Sequence, residues 1–334
     1  MAALTFIFGK AQNTTSLVCG FAIGLTIEKI VRTVCFPALG IAVFLVIWQF
    51  GAAAVKTSLG QFPGPLQVVE QVKNLHGEYV EEKEREAAFY ERQQKRIEDR
   101  RKQDANYVGE IRPYTGKPTF LQQIDTSLKT VFAGFLLSAL IAIPFGIAIG
   151  LSAGLYTAAN PLIQLFKPIS PLAWLPLVTM VVAAVYQGSN TSVPKSFITS
   201  AVTVMLCSLW PTLINTAVGV TSVSVDLINV SRVLRLNWLR HVRSIVLPAA
   251  VPMIFTGLRL SLSTAWMVLI AAEMLAQNPG LGKFVWDEFQ NGSSDSLGRI
   301  MVAVLTIGFI GYLLDRGMLA LQRCVSWDKS AIFR

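Results

Sequence analysis

The sequence predicts an all-α integral membrane protein of about six transmembrane helices, with an N-terminal interfacial helix and a long charged extracytoplasmic insertion. Only 15% of its 334 residues are charged and 53% are hydrophobic, whereas soluble domains usually carry about 25% charged residues. Several runs reach the roughly 20 apolar residues that a membrane-spanning helix needs. The chain is therefore one polytopic membrane domain and not a series of soluble domains.

The apolar runs divide the chain into four parts. Residues 1–56 hold the interfacial segment and the first span, 57–123 the polar insertion, 124–323 the core, and 324–334 a tail. The six spans are expected at about 34–55, 130–151, 169–186, 197–218, 254–272 and 301–319. Several spans contain proline, which a bundle tolerates where neighbouring helices meet the freed backbone groups. We therefore expect a packed bundle that lines a pathway.

The insertion predicts a charged helix. It opens with the turn-forming run Phe62-Pro63-Gly64-Pro65, and helix-forming residues dominate from Glu78 to Gln103. Three pairs have a Glu four residues before a basic residue, the favourable order on a helix: Glu81–Arg85, Glu91–Lys95 and Glu98–Lys102. A docking surface and a solvated helix are both open interpretations, and charge runs more commonly lie in water.

Basic residues on short loops predict the orientation. The loop between the fourth and fifth spans carries four arginines against Asp226, and both termini are basic. The loop between the fifth and sixth spans is acidic on balance. This pattern places both termini and the fourth-to-fifth loop in the cytoplasm and the insertion outside, since long loops cross the membrane largely regardless of charge.

The chain lacks the residues of several other function classes. In the spans we note only Arg259 and Glu273 as ionisable residues, both expected at an interface, so no proton relay is predicted. No catalytic motif, phosphate-binding loop or metal-ligand spacing is found. The net charge of +9 sits on short loops between apolar runs rather than in a nucleic-acid-binding patch. An enzyme, an ion-coupled carrier and a metal site are not expected.

Residues 226–248 form an amphipathic basic loop. Apolar residues recur at helical spacing on both sides of a predicted turn near Arg235–Asn237, and Leu247-Pro248 is expected to stop the second helix. Such an element can insert into a groove of another protein, or it can rest on anionic lipid. Periodicity alone leaves both interpretations open.

The loop resembles the E-A-A loop of permease subunits of ATP-binding-cassette importers. Asn229-Val230-Ser231 stands at E-A-A, Arg235 at the glycine of that pattern, and Ile245-Val246-Leu247-Pro248 at its end, with every spacing kept. Asn replaces the Glu that usually forms a salt link with the ATPase, and Arg232 or Arg235 are candidates to compensate.

Further motifs resemble the nitrate/sulfonate/taurine/bicarbonate group of these importers, and nitrate permeases most. They run from Ser208 to Asn215 and from Gln277 to Asn291. The resemblance implies the type I importer permease fold in a bacterial inner membrane. It also implies a homodimer of permease copies, two cytoplasmic ATP-binding subunits, an external substrate-binding protein and surrounding membrane lipid. ATP and Mg²⁺ would be bound by the partner ATPases, and this chain would need no cofactor.

The resemblance implies a role for each part of the core. The coupling residues would be Asp226, Asn229, Ser231, Arg232, Arg235, Arg240, Arg243, Leu247 and Pro248. The transported species would be an inorganic oxyanion, nitrate or nitrite first, with bicarbonate or sulfonate as alternatives. A membrane scaffold or receptor that moves nothing is the rival from a different class.

A monovalent oxyanion needs hydrogen-bond donors and positive potential in its pathway. The candidate pathway residues are Trp174, Asn215, Thr216, Arg259, Ser261, Ser263, Thr264 and Trp266. Each of these could equally serve helix packing or a hydrogen bond between helices. Gly280 and Gly282 are expected on the outer loop, where they could turn a re-entrant segment at the mouth of the pathway or simply form a tight turn.

Overall fold

The computed structural model describes residues 35–57, 60–104, 109–186, 193–293 and 295–325. The interfacial helix expected before the first span and the C-terminal tail lie outside these residues. The chain divides into two compact units, Met1–Val69 and Glu70–Arg334. Within the described residues the fold is all-helical apart from one hairpin of two-residue strands.

The first unit contains the first span. Helix α1 (Phe36–Ala54) has a proline in its first turn and agrees with the predicted span. Strands β1 (Lys56–Thr57) and β2 (Gly60–Gln61) follow and pair antiparallel, with Lys56 opposite Gln61. The indole Nε1 of Trp48 donates to the carbonyl of Pro63 at 3.1 Å, so the helix and the turn after the hairpin are joined within this unit.

The charged helix of the insertion is longer than predicted. Helix α2 (Pro65–Gln103) is one element of 39 residues. Two of the three predicted pairs form, at 3.3 and 2.7 Å: Arg85 with Glu81 and Lys95 with Glu91. The third is wrong, because Lys102 pairs with Asp99 at 3.2 Å. All of these pairs are exposed, where ion pairs contribute little stability.

The part of α2 within the second unit packs on the core. Arg299 forms ion pairs with Glu78 and with Glu288, the latter at 3.2 Å. Gln71 donates to Asp295 at 3.4 Å. These contacts attach α2 to the last part of the chain, more than 200 residues away in sequence.

The chain then returns along α2 before it enters the core. The hydroxyl of Tyr114 donates to Glu82 at 2.8 Å, and this hydrogen bond raises the pKa of Tyr114. The side-chain amide of Gln93 accepts a hydrogen bond from the backbone N–H of Arg112 at 2.9 Å and donates one to the carbonyl of Arg112 at 3.0 Å. The return segment is therefore tied to the helix at several points.

The core consists of helices and short connections. In chain order they are α3 (Phe120–Leu151), α4 (Ala153–Phe166), α5 (Pro171–Val185), α6 (Lys195–Thr221), α7 (Val225–Val233), α8 (Trp238–His241), a π-helical turn (Val242–Val246), α9 (Leu247–Ala276), α10 (Leu281–Asn291) and α11 (Ser296–Val325). Among the described residues, five helical segments are long and apolar enough to cross a membrane, or six if the bent pair α4–α5 counts as one.

Several predicted span limits are wrong. Helix α3 begins at Phe120, ten residues before the predicted span, because Thr119 and Gln122 form a capping box that starts it there. Helix α5 agrees with the predicted third span, but a further helix, α4, precedes it and meets it at 99°. Ser152 caps the start of α4, and Ser170 followed by Pro171 starts α5 afresh. Helices α4 and α10 were not predicted.

The expected stop at Leu247-Pro248 is also wrong. Pro248 lies in the first turn of α9, directly after the π-helical turn, and does not end the helical run. The helical run therefore continues from Trp238 to Ala276, 39 residues. Helix α8 of the amphipathic loop, the π-helical turn and the fifth span therefore form one helical run.

A stripe of small residues on α3 allows close approach to α6. Every fourth residue on this face is small: Gly134, Ser138, Ala142, Gly146 and Gly150. A Cβ at Gly134 would meet the carbonyl of Ala201 at 2.7 Å, and one at Gly150 that of Ala217 at 2.7 Å. The two helices therefore run parallel with their backbones nearly in contact, as small-residue faces permit in membranes.

Helix α6 is the centre of the core. It packs most extensively on α3 and α9. Its contacts with α9 run antiparallel, since Gly219 lies beside Ala250 and Gly257 beside Thr212. The loop of residues 222–246 and the end of α11 consequently lie at one end of the bundle, and Thr119 and α10 lie at the other.

Leucine in place of Gly146 should destabilise the bundle. Its side chain would meet Thr216 and the carbonyl of Leu213, and overpacking of this kind costs about 1–3 kcal/mol. The thermal unfolding midpoint of the purified protein in detergent should fall accordingly. Gly308→Leu is the matched control, because no atom lies within 4 Å of a Cβ built at Gly308. Equal midpoints for the two variants would contradict the packing account.

Candidate functional site

The turn in the basic loop is confirmed. Arg235 adopts a left-handed conformation with φ 46°. Its N–H donates to the carbonyl of Arg232, and the N–H of Leu236 donates to that of Ser231, both at 3.1 Å. This bonding pattern is the Schellman ending of a helix, in which glycine is the usual left-handed residue. Arg235 therefore stands where the loop geometry favours glycine.

The two helices of the loop are joined by one side-chain contact. Ser231 Oγ lies 2.7 Å from His241 Nδ1. Ser231 is buried, so a small side chain is required at this position of α7. After the turn, Val246 packs with Val220, Ala250 and Ile254. The loop is thus fixed to the ends of α6 and α9.

The outer surface of the loop combines exposed apolar and basic residues. Four of its large apolar side chains are 63–81% exposed: Val233, Leu234, Trp238 and Leu239. The four arginines predicted to couple, Arg232, Arg235, Arg240 and Arg243, are all exposed beside them. We call residues 225–246 the foot. An apolar patch with a polar rim is typical of a protein-binding surface.

The remaining predicted coupling residues differ in position. Asp226, Asn229 and Pro248 are exposed on the foot or next to it. Leu247 is half-buried and packs against the apolar cluster around Ala250. A polar residue at 247 would therefore disturb the bundle itself.

Several predicted pathway residues are engaged between helices or within one helix. Ser261 is buried, accepts from Thr212 Oγ1 at 2.7 Å and donates to the carbonyl of Ser208 at 2.5 Å. The indole of Trp266 donates to the carbonyl of Ile307 at 3.0 Å. Asn215 and Thr264 donate to carbonyls four residues back, at 2.8 and 2.9 Å: those of Pro211 and Leu260. Ser261 and Trp266 therefore join neighbouring helices, whereas Asn215 and Thr264 bond within their own helix.

Three predicted pathway residues keep free polar atoms. The hydroxyl of Thr216 and the indole N–H of Trp174 are buried without a partner among the described residues. The Trp174 ring lies 6.0 Å from that of Phe166, across the break between α4 and α5. Ser263 is exposed on α9.

Arg259 lies in an ion pair that the sequence reasoning missed. Its Nε donates to Asp315 Oδ1 at 2.6 Å and its Nη2 to Oδ2 at 3.0 Å, so the contact is bidentate and joins α9 to α11. Asp315 falls inside the predicted sixth span and was overlooked among its apolar neighbours. Arg259 is near the middle of α9 and not, as expected, at an interface. The sequence did offer a signal for this pair, namely a charged residue of opposite sign, Asp315, within the next predicted span.

Glu273 is fully buried near the end of α9. Its carboxylate accepts from Ser127 Oγ at 2.8 Å and from the N–H of Gly282 at 3.1 Å. Ser127 Oγ in turn accepts from the N–H of Leu281 at 2.8 Å. The carboxylate therefore ties α3, α9 and the start of α10 together.

Gly280 and Gly282 complete this arrangement. A Cβ at Gly280 would overlap the Glu273 carboxylate, and one at Gly282 would overlap the carbonyl of Ile270. Both glycines are required by space at the start of α10, at the end of the bundle opposite the foot.

A bundle of several membrane-spanning helices defines the class of polytopic membrane proteins, and the exposed, basic helical foot is a candidate surface for a partner. Comparison of the sequence with known proteins identifies the family within this class. Residues 142–326 match the family model described as "Binding-protein-dependent transport system inner membrane component".

Named relatives cover nearly the whole chain. The nitrate import permease protein NrtB of Synechocystis sp. is 34% identical over 302 residues, 89% of this chain and 90% of the relative. The bicarbonate transport system permease protein CmpB of Synechococcus elongatus is 37% identical over 293 residues, 87% and 89% of the two chains.

The core fold is shared with a solved transporter. A chain of the MetNI methionine ABC transporter in an inward-facing conformation superposes with a TM-score of 0.53 at 16% identity, covering 61% of this chain and 95% of that one. The chain belongs to the family of binding-protein-dependent transport system inner membrane components. The family resemblance and the predicted permease fold are therefore confirmed.

Replacing Arg235 by glycine should stabilise the foot. The left-handed conformation costs a residue with a Cβ about 1–2 kcal/mol, and glycine removes this cost. Backbone amides of residues 231–241 should then exchange with deuterium at least about fivefold more slowly. Arg235→Ala is the matched control, because it removes the same charge and keeps the Cβ. Equal exchange rates in the two variants would contradict the strain account.

Proposed function

We propose that this chain is the transmembrane permease subunit of an ATP-driven importer of an inorganic oxyanion, with nitrate as the substrate. The observation that carries the proposal is the exposed foot, which keeps the spacing of the family's coupling loop and projects from a bundle of the importer fold. The substrate assignment is supported by the nitrate import permease among its relatives.

The foot is the contact with the ATPases in this proposal. Trp238 and Leu239 would enter a groove of the partner, and the four arginines would meet its acidic rim. The chain itself performs no catalysis: ATP and Mg²⁺ bind to the partner subunits. Because α9 continues from the foot as one helical run, movement of the foot would move the core of the bundle directly.

The remaining partners follow from the same scheme. Two copies of the chain would pair in a bacterial inner membrane, with the foot and both chain termini in the cytoplasm. The end that holds Glu273, Gly280 and Gly282 would face outward and receive the anion from an external binding protein.

Bicarbonate is the second candidate, because a bicarbonate permease is 37% identical over a similar share of the chain. Both substrates are monovalent trigonal oxyanions and make the same demand on the pathway, namely donors without net negative charge. In this scheme the external binding protein makes the choice between them.

Uptake by reconstituted vesicles tests the function. The chain is co-reconstituted with its ATPase subunits and binding protein, and ATP-dependent accumulation of isotope-labelled nitrate and of labelled bicarbonate is measured. Nitrate accumulation that stops with a non-hydrolysable ATP analogue is the expected result. Accumulation of bicarbonate alone would favour the second candidate, and accumulation of neither would indicate a non-transporting scaffold.

Reversing one charge on the foot should release the ATPases. Arg232→Glu places an acidic group where the partner is expected to present acid, and such a contact change typically costs about 2 kcal/mol or more. ATPase recovered in a pull-down should fall at least about tenfold, while membrane insertion is unchanged. Arg92→Glu, the same change on the exposed face of α2, is the matched control. Full recovery with Arg232→Glu would rule out this docking surface.

A further inference from the structure

We infer that the Arg259–Asp315 pair is a transient binding point for a monovalent oxyanion in the translocation pathway, with Ser263 as the adjoining donor. The inference rests on the proposed function and deepens it. Arg259 would contact the anion, and Asp315 would act as a positioning residue that orients the guanidinium and offsets its charge.

The location of the pair argues against a face packed on lipid chains. Arg259 lies near the middle of the 30-residue α9, and Asp315 lies well inside α11. Their side chains are 40% and 30% exposed. A charged group exposed to hydrocarbon costs several kcal/mol, so charges at this depth face a protein interior or a water-filled cavity. Since this pair is exposed on its own chain, either another protein chain or water covers it, and the inference assigns its face to a water-filled cavity.

The bonding of the pair leaves donors free. Nε and Nη2 of Arg259 each donate one hydrogen bond to the carboxylate. Nη1 forms no hydrogen bond with any residue that the structure describes. A guanidinium held in this way still presents N–H groups in one plane, a geometry that suits a planar oxyanion.

The surrounding charges suit passage rather than tight binding. Asp315 neutralises Arg259, so the anion meets directed donors and not an isolated positive charge. Arg316 follows at the next position, with its Cζ 5.1 Å from the ring centroid of Tyr312. Together, Arg259, Asp315 and Arg316 carry one positive charge in excess. Attraction is therefore retained while the depth of the binding well is limited, which favours release.

Ser263 adds a donor on the same face of α9. It lies four residues after Arg259, one turn along the helix, and is exposed. Its hydroxyl has no partner among the described residues, unlike that of Thr264, which bonds the carbonyl of Leu260 at 2.9 Å. Arg259 and Ser263 thus form two successive donor positions.

Transport kinetics test the roles of the two charged residues. In the reconstituted complex, Arg259→Gln should lower kcat/KM for labelled nitrate or bicarbonate about ten- to hundredfold, the usual loss for one charge-assisted hydrogen bond. Asp315→Asn should lower both KM and kcat, because the anion then meets an uncompensated guanidinium. Wild-type vesicles that transport neither anion would refute the proposed function itself.

A double variant separates this role from a structural one. Arg259→Gln with Asp315→Asn replaces the ion pair by two amides that can still bond each other. If the pair only fastens α9 to α11, the double variant should transport as well as wild type, and the inference would be overturned. The expected result is assembly at wild-type yield with kcat/KM still reduced at least about tenfold.

Chemical accessibility tests the cavity without relying on transport. Ser263→Cys is made in a chain whose four native cysteines, Cys19, Cys35, Cys207 and Cys324, are replaced by alanine. The water-soluble anionic reagent methanethiosulfonate ethylsulfonate should modify the cysteine at position 263 much faster than the one in the control variant Leu140→Cys. Leu140 is 71% exposed and lies on an apolar face of α3. Added nitrate or bicarbonate should slow the reaction.

Two outcomes of the accessibility test would overturn the inference. Modification of Cys at position 263 only by a lipid-soluble maleimide would place this face against lipid. A disulfide between the two copies, with no reaction toward the anionic reagent, would place it in the contact between them.

Discussion

The close approach of three backbones is the constraint on which the rest of the structure depends. Inside a membrane the hydrophobic effect does not press helices together, so packing of small residues must do so. The small face of α3 and Gly219 and Gly257 at the α6–α9 contact provide that packing. It fixes α6 between a parallel and an antiparallel neighbour. The foot then projects from one end of the bundle, because α9 extends without interruption into it.

Polar side chains of the core divide into those that fasten helices and those that remain available. Ser261 and Trp266 are committed to neighbouring helices, and Glu273 is enclosed by donors from α3 and α10. The half-exposed pair of Arg259 and Asp315 is different, since part of the guanidinium has no protein partner. A residue's type does not distinguish these cases; its neighbours across the bundle do.

Local signals in the sequence predicted well, and distant ones did not. The turn at Arg235 and the helices beside it depend on a few adjacent residues, and hydropathy finds most of the spans. Helix α4, which precedes the break at Pro171, escaped prediction because its 14 residues are too few to span a membrane. The burial of Glu273 depends on Ser127, 146 residues away, and the partner of Arg259 lies 56 residues away. The partner and substrate assignments rest on family resemblance and the orientation rests on the basic residues of short loops; all three stay predictions.

The break between α4 and α5 has an electrostatic consequence. Helix α5 has 15 residues and is about 22 Å long, shorter than the roughly 30 Å hydrocarbon layer. If α4 and α5 together form one broken span, residues 167–170 lie at a depth where lipid cannot solvate their freed backbone groups. Water or polar protein must reach that level, which raises the local dielectric constant. Because electrostatic energies vary inversely with the dielectric constant, less work is then needed to bring an ion to the same depth.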